Sequence, residues 1–234
     1  MTRLLTRPTR RPPARLRKKP DVDHARGMRI STELTSWHYQ AWGTSAMQIT
    51  PKEVIKVLNA AGVKFVLMGA HSMAGWLKGD VRSTIDVDVL IRKQHHKKAV
   101  QVICEAFPHL KVEDEIVVTR FRDPELNVIV LDLMKPMHDI HAAVFNHTVR
   151  VGKTHEIPDL EMALAAKFAA MTSPNRIARK KMLDGGDFIT IAQFNSEKID
   201  REKLRTLGEL VFPGGGAAVI SLLGDALAGR ILKL

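Results

Sequence analysis

Two aspartates interrupt the aliphatic run "STIDVDVLI", Ser83 to Ile91, and a third, Asp132, stands in a similar run, "VIVLDLM". Alternate residues of a strand project to the same face, so Asp86 and Asp88 share one face while Ile85, Val87, Val89 and Ile91 share the other. Two carboxylates held that close raise each other's energy unless a cation lies between them. A hard divalent ion, Mg2+ or Mn2+, resolves the conflict, because it prefers carboxylate oxygen and keeps coordination sites for water and substrate phosphate. A DxD pair alone also fits a solvated strand edge, so the reading depends on what surrounds it.

The residues upstream suit a phosphate. In "FVLMGAHSMAGWLKGDVR" a strand ends at Gly69, whose lack of a side chain lets a backbone approach closely. A helix expected over Ser72 to Leu77 offers free N–H groups and a positive dipole end to an anion. Ala70 and His71 lie in the turn, and His71 either touches phosphate or packs behind it. Arg82, with Ser83 and Thr84, adds charge-assisted hydrogen bonds. Three strand acids with a glycine-ended turn describe a two-metal site for in-line displacement at phosphorus.

The elements that must position these groups are legible in the periodicity. Thr50, Pro51 and Glu53 form a capping box that opens a helix closed by Gly62. The strand Val63 to Ala70, the strand around Asp86 and a helix over "KQHHKKAVQVICEAF" follow. "EIVVTRFRDPELNVIVLDLMKP" reads as a hairpin turning at "DPEL". A linker strand, "VRVGKTHEIPD", leads to helices near Leu160 to Met171, Met182 to Gln193 and Arg201 to Leu210. Gly214 to Gly216 reads as a flexible break, and Ala217 to Leu234 as a helix that packs on the domain or binds a partner.

The fold class expected is α+β, with a mixed sheet flanked by helices and a helical C-terminal half. The expected division is a basic tail at 1–46, an α/β core at 47–158 and a helical region at 159–234 packed on that core. Of the net charge of +11, residues 1–29 carry +8, leaving +3 for the rest. The Arg- and Pro-rich tail has too little apolar surface to offset its ordering entropy and is expected to be disordered. It fits a nucleic-acid or anionic-surface arm, a transit-like segment, or a translated upstream region whose loss, with a start at Met28 or Met47, leaves the body intact. The single Cys104 excludes an internal disulfide, and no uninterrupted apolar run suits a membrane span; both fit a cytoplasmic protein.

"GAHSMAGWLKGDVRSTIDVDVLI" resembles the first motif of the nucleotidyltransferase superfamily that includes DNA polymerase beta, and "VIVLDLM" resembles its third-carboxylate strand. Within that superfamily, "LEMALAAKFAAMTSPNRIARKKMLDGGDFITI" resembles the AbiEii-type enzymes of abortive-infection and toxin-antitoxin systems. The resemblance implies a nucleotidyltransferase fold and transfer of a nucleoside monophosphate from a nucleoside triphosphate (NTP), ATP among them, to a hydroxyl. The acceptor would be a tRNA, a protein or a small molecule, and a cognate antitoxin would be a partner. Asp86 and Asp88 would bind both metals, and Asp132 would complete one metal site and act on the acceptor hydroxyl. Gly69 and Ser72 would hold the triphosphate, Lys167 would contact phosphate, and Asp184 or Asp187 would orient it or the base. The plain alternative for Lys167 and Asp187 is an exposed position on a helix surface. Ala70 departs from the motif, which has serine or glycine there, and a gap of 44 residues between Asp88 and Asp132 leaves the register of the third acid open. The patch "RIARKK" favours an RNA acceptor, with a solvated loop as the plain alternative, and the runner-up function is a catalytically inactive protein of this fold that acts by binding a partner or nucleic acid.

Overall fold

The computed structural model describes residues 23–41, 49–78 and 80–232. Helices α1 (His24–Ala41) and α2 (Pro51–Ala60) precede strand β1 (Phe65–Leu67) and the short helix α3 (Gly69–Met73). Strand β2 (Val87–Ile91) and α4 (His96–Ala106) lead into β3 (Lys111–Asp114), β4 (Val118–Asp123) and β5 (Val128–Met134). After α5 (Asp139–Ala143) and a small hairpin of β6 (Thr148–Val151) and β7 (His155–Pro158) come α6 (Leu160–Thr172), α7 (Ala178–Phe194), α8 (Arg201–Glu209) and α9 (Gly215–Leu227). No described helix is long and apolar enough to cross a membrane.

The main sheet has the order β1-β2-β5-β4-β3, with β2 and β5 parallel and every other neighbouring pair antiparallel. This is the mixed α+β architecture the sequence implies. Local chemistry sets its boundaries. Thr50 caps α2 by accepting from the Glu53 N–H, with Pro51 at the first turn. The β4–β5 turn is closed by the Asp123 carboxylate, which accepts from the Glu125 and Leu126 N–H groups at 2.9 and 3.0 Å.

Each face of the sheet has its own core. Phe65, Leu67, Val87, Val89, Ile91, Leu131 and Leu133 pack with Leu58 of α2 and Ile103 of α4. Val66 and Leu90, on the opposite face, join Leu164, Phe168, Phe188 and Leu223 of the C-terminal helices. By alternation Asp88 shares the face of Leu90, so it looks toward the helical half.

Two expectations need correction. Residues 24–41, inside the stretch expected to be a disordered tail, form α1; residues 1–22 and 42–46 lie outside the described residues. The buried positions of α1 are Gly27, Ser31, Thr35 and Tyr39, a four-residue spacing of mostly small groups that carries no aliphatic signature. Gly27 faces the backbone of Ala74, where an added Cβ would meet the carbonyl carbon at 2.5 Å. A chain starting at Met28 or Met47 would therefore lose packing that the body uses. The second correction concerns Gly214 to Gly216, which are no flexible break. Gly214 takes φ 85° at the N-cap of α9, and a Cβ on Gly215 would stand 2.2 Å from the Gly208 carbonyl oxygen of α8. These glycines let two helices meet backbone to backbone.

Gly27→Val is expected to lower the melting temperature by several degrees, the effect of roughly 1–3 kcal/mol of overpacking at a rigid backbone contact. A melt followed by circular dichroism checks this, and an unchanged midpoint would mean that α1 does not dock on α3.

Candidate active site

The parallel pairing of β2 and β5 makes Asp88 and Asp132 direct register partners, between Val87 opposite Leu131 and Val89 opposite Leu133. Neighbouring strands lie about 4.8 Å apart, so the two carboxylates share one small region, with Asp86 one residue before β2. The electrostatics reflect that crowding. Burial, then the charges of Asp86 and Asp132, push the Asp88 carboxyl well above the usual range, against the pull of Lys167 and Arg176. Asp132 is pushed up to about 6, mainly by burial and also by Asp86, with Arg120 opposing. Arg120, its register partner on β4, brings Nε to 3.8 Å from Asp132 Oδ1, beyond hydrogen-bond range. That oxygen is buried without a hydrogen-bond partner. A buried, unpaired carboxylate oxygen among like charges fits a hard divalent cation. Among the described residues no group of three or more His, Cys, Asp or Glu side chains is arranged so that it could hold a metal ion.

Gly69 has φ 65°, and a Cβ there would lie 2.0 Å from Asp88 Oδ2. The glycine expected to admit a phosphate is thus also required by the carboxylate beside it. The Met68 N–H donates to the Asp88 carbonyl at 2.8 Å and ties the turn to β2. The side chains that follow turn inward. Ser72 donates to the Gly69 carbonyl at 2.9 Å, and His71 Nδ1 pairs with Ser31 Oγ of α1 at 2.6 Å. Burial draws His71 down to about 4, so it is neutral at pH 7. Ala70, His71 and Ser72 are all buried, and His71 packs behind the turn, one of the two placements expected for it.

Arg82, Lys167, Asp184 and Asp187 meet in one ion network. Lys167 Nζ bonds Asp184 Oδ1 at 2.9 Å and Asp187 Oδ2 at 2.6 Å, and all three residues are buried. Arg82 holds Asp187 through Nε and Nη2, each at 3.0 Å, and Arg176 Nε holds Asp184 at 2.5 Å. Burial raises the Asp187 carboxyl, but the hydrogen bonds and charges of Arg82 and Lys167 outweigh it and hold the group below its ordinary range. Lys167 and Asp187 are therefore buried and ion-paired rather than exposed helix residues. They fasten the segment before Asp86 to α6 and α7.

Thr84 donates its hydroxyl to Asp86, and its carbonyl accepts from Thr35 of α1 at 2.9 Å. Sequence reasoning missed Ser31, Thr35 and Arg120. The four-residue spacing of Gly27, Ser31 and Thr35 was the available signal for α1. Arg120 needs the hairpin register, which a shift between Phe121 and Arg122 hides from simple counting. In "RIARKK", Arg176 is ion-paired while Arg179 and Lys180 are exposed at the start of α7.

No family model matches the chain, and no curated protein matches it. Solved structures do overlap it. One is an antigenic nucleotidyltransferase-like protein from Paracoccidioides brasiliensis, 17% identical, with 77% of this chain and 91% of that one covered at a TM-score of 0.43. A second is ANT(2")-Ia in complex with adenylyl-2"-tobramycin, 12% identical over 73% and 94% of the chains at 0.45. A third is terminal uridylyl transferase 4 from Trypanosoma brucei with bound GTP, 11% identical over 73% and 57% at 0.32. At scores this low the functional conclusion rests on the carboxylates themselves.

Asp132→Asn is expected to stabilise the protein at pH 7.5. A carboxyl raised to about 6 when folded costs stability as pH rises through roughly 4 to 6, so the variant should gain roughly 2–3 kcal/mol above that window and nothing at pH 4. Paired melts at the two pH values decide it; a variant no more stable than wild type at pH 7.5 would mean that Asp132 is not strained. Lys167→Met leaves two buried acids short of a cation and should cost about 3–5 kcal/mol in urea unfolding. A loss below 1 kcal/mol would contradict the network.

Proposed function

We propose that this protein is a metal-dependent nucleotidyltransferase, moving a nucleoside monophosphate from an NTP to a hydroxyl acceptor. The observation that carries the reading is the in-register pairing of Asp88 with Asp132, with Asp86 beside them. Such a trio is costly alone and is useful where a cation and a triphosphate neutralise it. Asp86, Asp88 and Asp132 would hold Mg2+ or Mn2+, which when bound supplies charge stabilisation to the triphosphate. In the transfer the acceptor oxygen bonds to the α-phosphorus, the bond from that phosphorus to the bridging oxygen breaks, and pyrophosphate leaves. Asp132 would take the acceptor's proton or orient the hydroxyl. Gly69 keeps the approach to Asp88 clear. Arg82, Lys167, Asp184 and Asp187 act as anchors of the Asp86 segment.

Exposed Arg179 and Lys180, at the start of the helix that carries Asp184 and Asp187, support an anionic acceptor, for which a tRNA end is our choice over a protein hydroxyl or a small molecule. The AbiEii-type resemblance extends this reading to a cytoplasmic toxin restrained by a cognate antitoxin. A second reading, a catalytically inactive partner-binding protein, draws on the inward packing of His71 and Ser72.

Calorimetric titration with each NTP, with and without Mg2+, separates the two. Wild type is expected to bind at least one NTP only with Mg2+, and the variant with both Asp86→Asn and Asp88→Asn is expected to lose that binding. Absence of binding by wild type at millimolar NTP would overturn the transferase reading in favour of the inactive one.

A further inference from the structure

We infer that α1 is a working part of the site, with Thr35 and Ser31 as positioning residues that clamp the two segments delivering Asp86 and Asp88. The inference rests on the reading of these aspartates as site carboxylates.

Among the described residues, no backbone–backbone hydrogen bond reaches residues 81–85. The segment that ends in Asp86 is therefore set by side chains. Arg82 fixes one end of it to Asp187. At the other end Thr35 Oγ1, fully buried, lies 2.9 Å from both the Thr84 and the Ser31 carbonyl oxygens, with one proton shared between them. Thr84 in turn donates its hydroxyl to Asp86. The link runs from α1 through one backbone carbonyl to the carboxylate. One turn earlier on the same face of α1, Ser31 Oγ meets His71 Nδ1. His71 lies two residues beyond Gly69, which abuts the Asp88 carboxylate. Gly27, a further turn back, seats the helix against Ala74 with no side chain between. A single helix face thus holds the backbone on both sides of the acids. Ser31 and Thr35 are both fully buried, and each hydroxyl pairs with one of the two segments. Removing one leaves a buried carbonyl or imidazole nitrogen unpaired and the attached segment free to shift.

The test compares Thr35→Val, which keeps the shape and removes the hydroxyl, with Thr35→Ser, which keeps the hydroxyl. In the full chain, the rate of tryptic cleavage after Arg82 under native conditions is expected to rise about tenfold in Thr35→Val, and Mg2+-dependent NTP affinity to fall about tenfold. Thr35→Ser is expected to restore both. Ser31→Ala, read by the same affinity, carries the comparison for the Gly69 segment should Thr35→Val fail to fold. Cleavage and affinity unchanged in the valine variant, or equally altered in the serine variant, would overturn the inference. If wild type binds no NTP, the transferase reading falls, and the cleavage comparison alone still decides whether α1 sets the Asp86 segment.

Discussion

Two carboxylates on directly opposed positions of parallel strands form the constraint around which the rest is arranged. Like charges so placed destabilise a sheet, and burial on the helix-facing side makes the conflict larger. The strands cannot slip to relieve it. Val87, Val89, Leu131 and Leu133 are fully buried on the opposite face, and a shift of one residue would exchange aliphatics for acids in that core. Hydrophobic burial therefore holds the register that electrostatics opposes.

Among the described residues no Lys or Arg is shown hydrogen-bonded to the trio. Lys167 and Arg176 are close enough to pull on Asp88, yet their hydrogen bonds go to Asp184 and Asp187, and Arg82 bonds Asp187 and the Ser83 carbonyl. Arg120 stops short of bonding Asp132. A buried cluster in which three cations serve two acids is locally satisfied and rigid, and it stands beside an acidic patch that remains under-compensated. Stiff walls therefore surround an unsatisfied centre.

Alternation alone marked Asp86, Asp88 and Asp132, because an acid within an aliphatic strand violates the local pattern and so stands out. The capping box of α2, the hairpin and the C-terminal helices were equally open, each announced by a residue type at a fixed offset. Other features were closed to such reading. Strand β3, "KVED", is mostly exposed and carries no alternation, and only pairing with β4 defines it. Helix α1 packs through glycine and hydroxyls, which composition assigns to solvent. The inward turn of His71 and Ser72 follows from Ser31, some 40 residues away in the chain, which no local window contains.

The same strand pairing has a consequence in time. A parallel pair cannot be closed by a hairpin, and Asp88 and Asp132 are 44 residues apart. The β3-β4-β5 meander is local and can form early, whereas β2 must close a long loop to join it. Repulsion between the acids is met only when that loop closes, so the site is completed by the least local pairing of the main sheet.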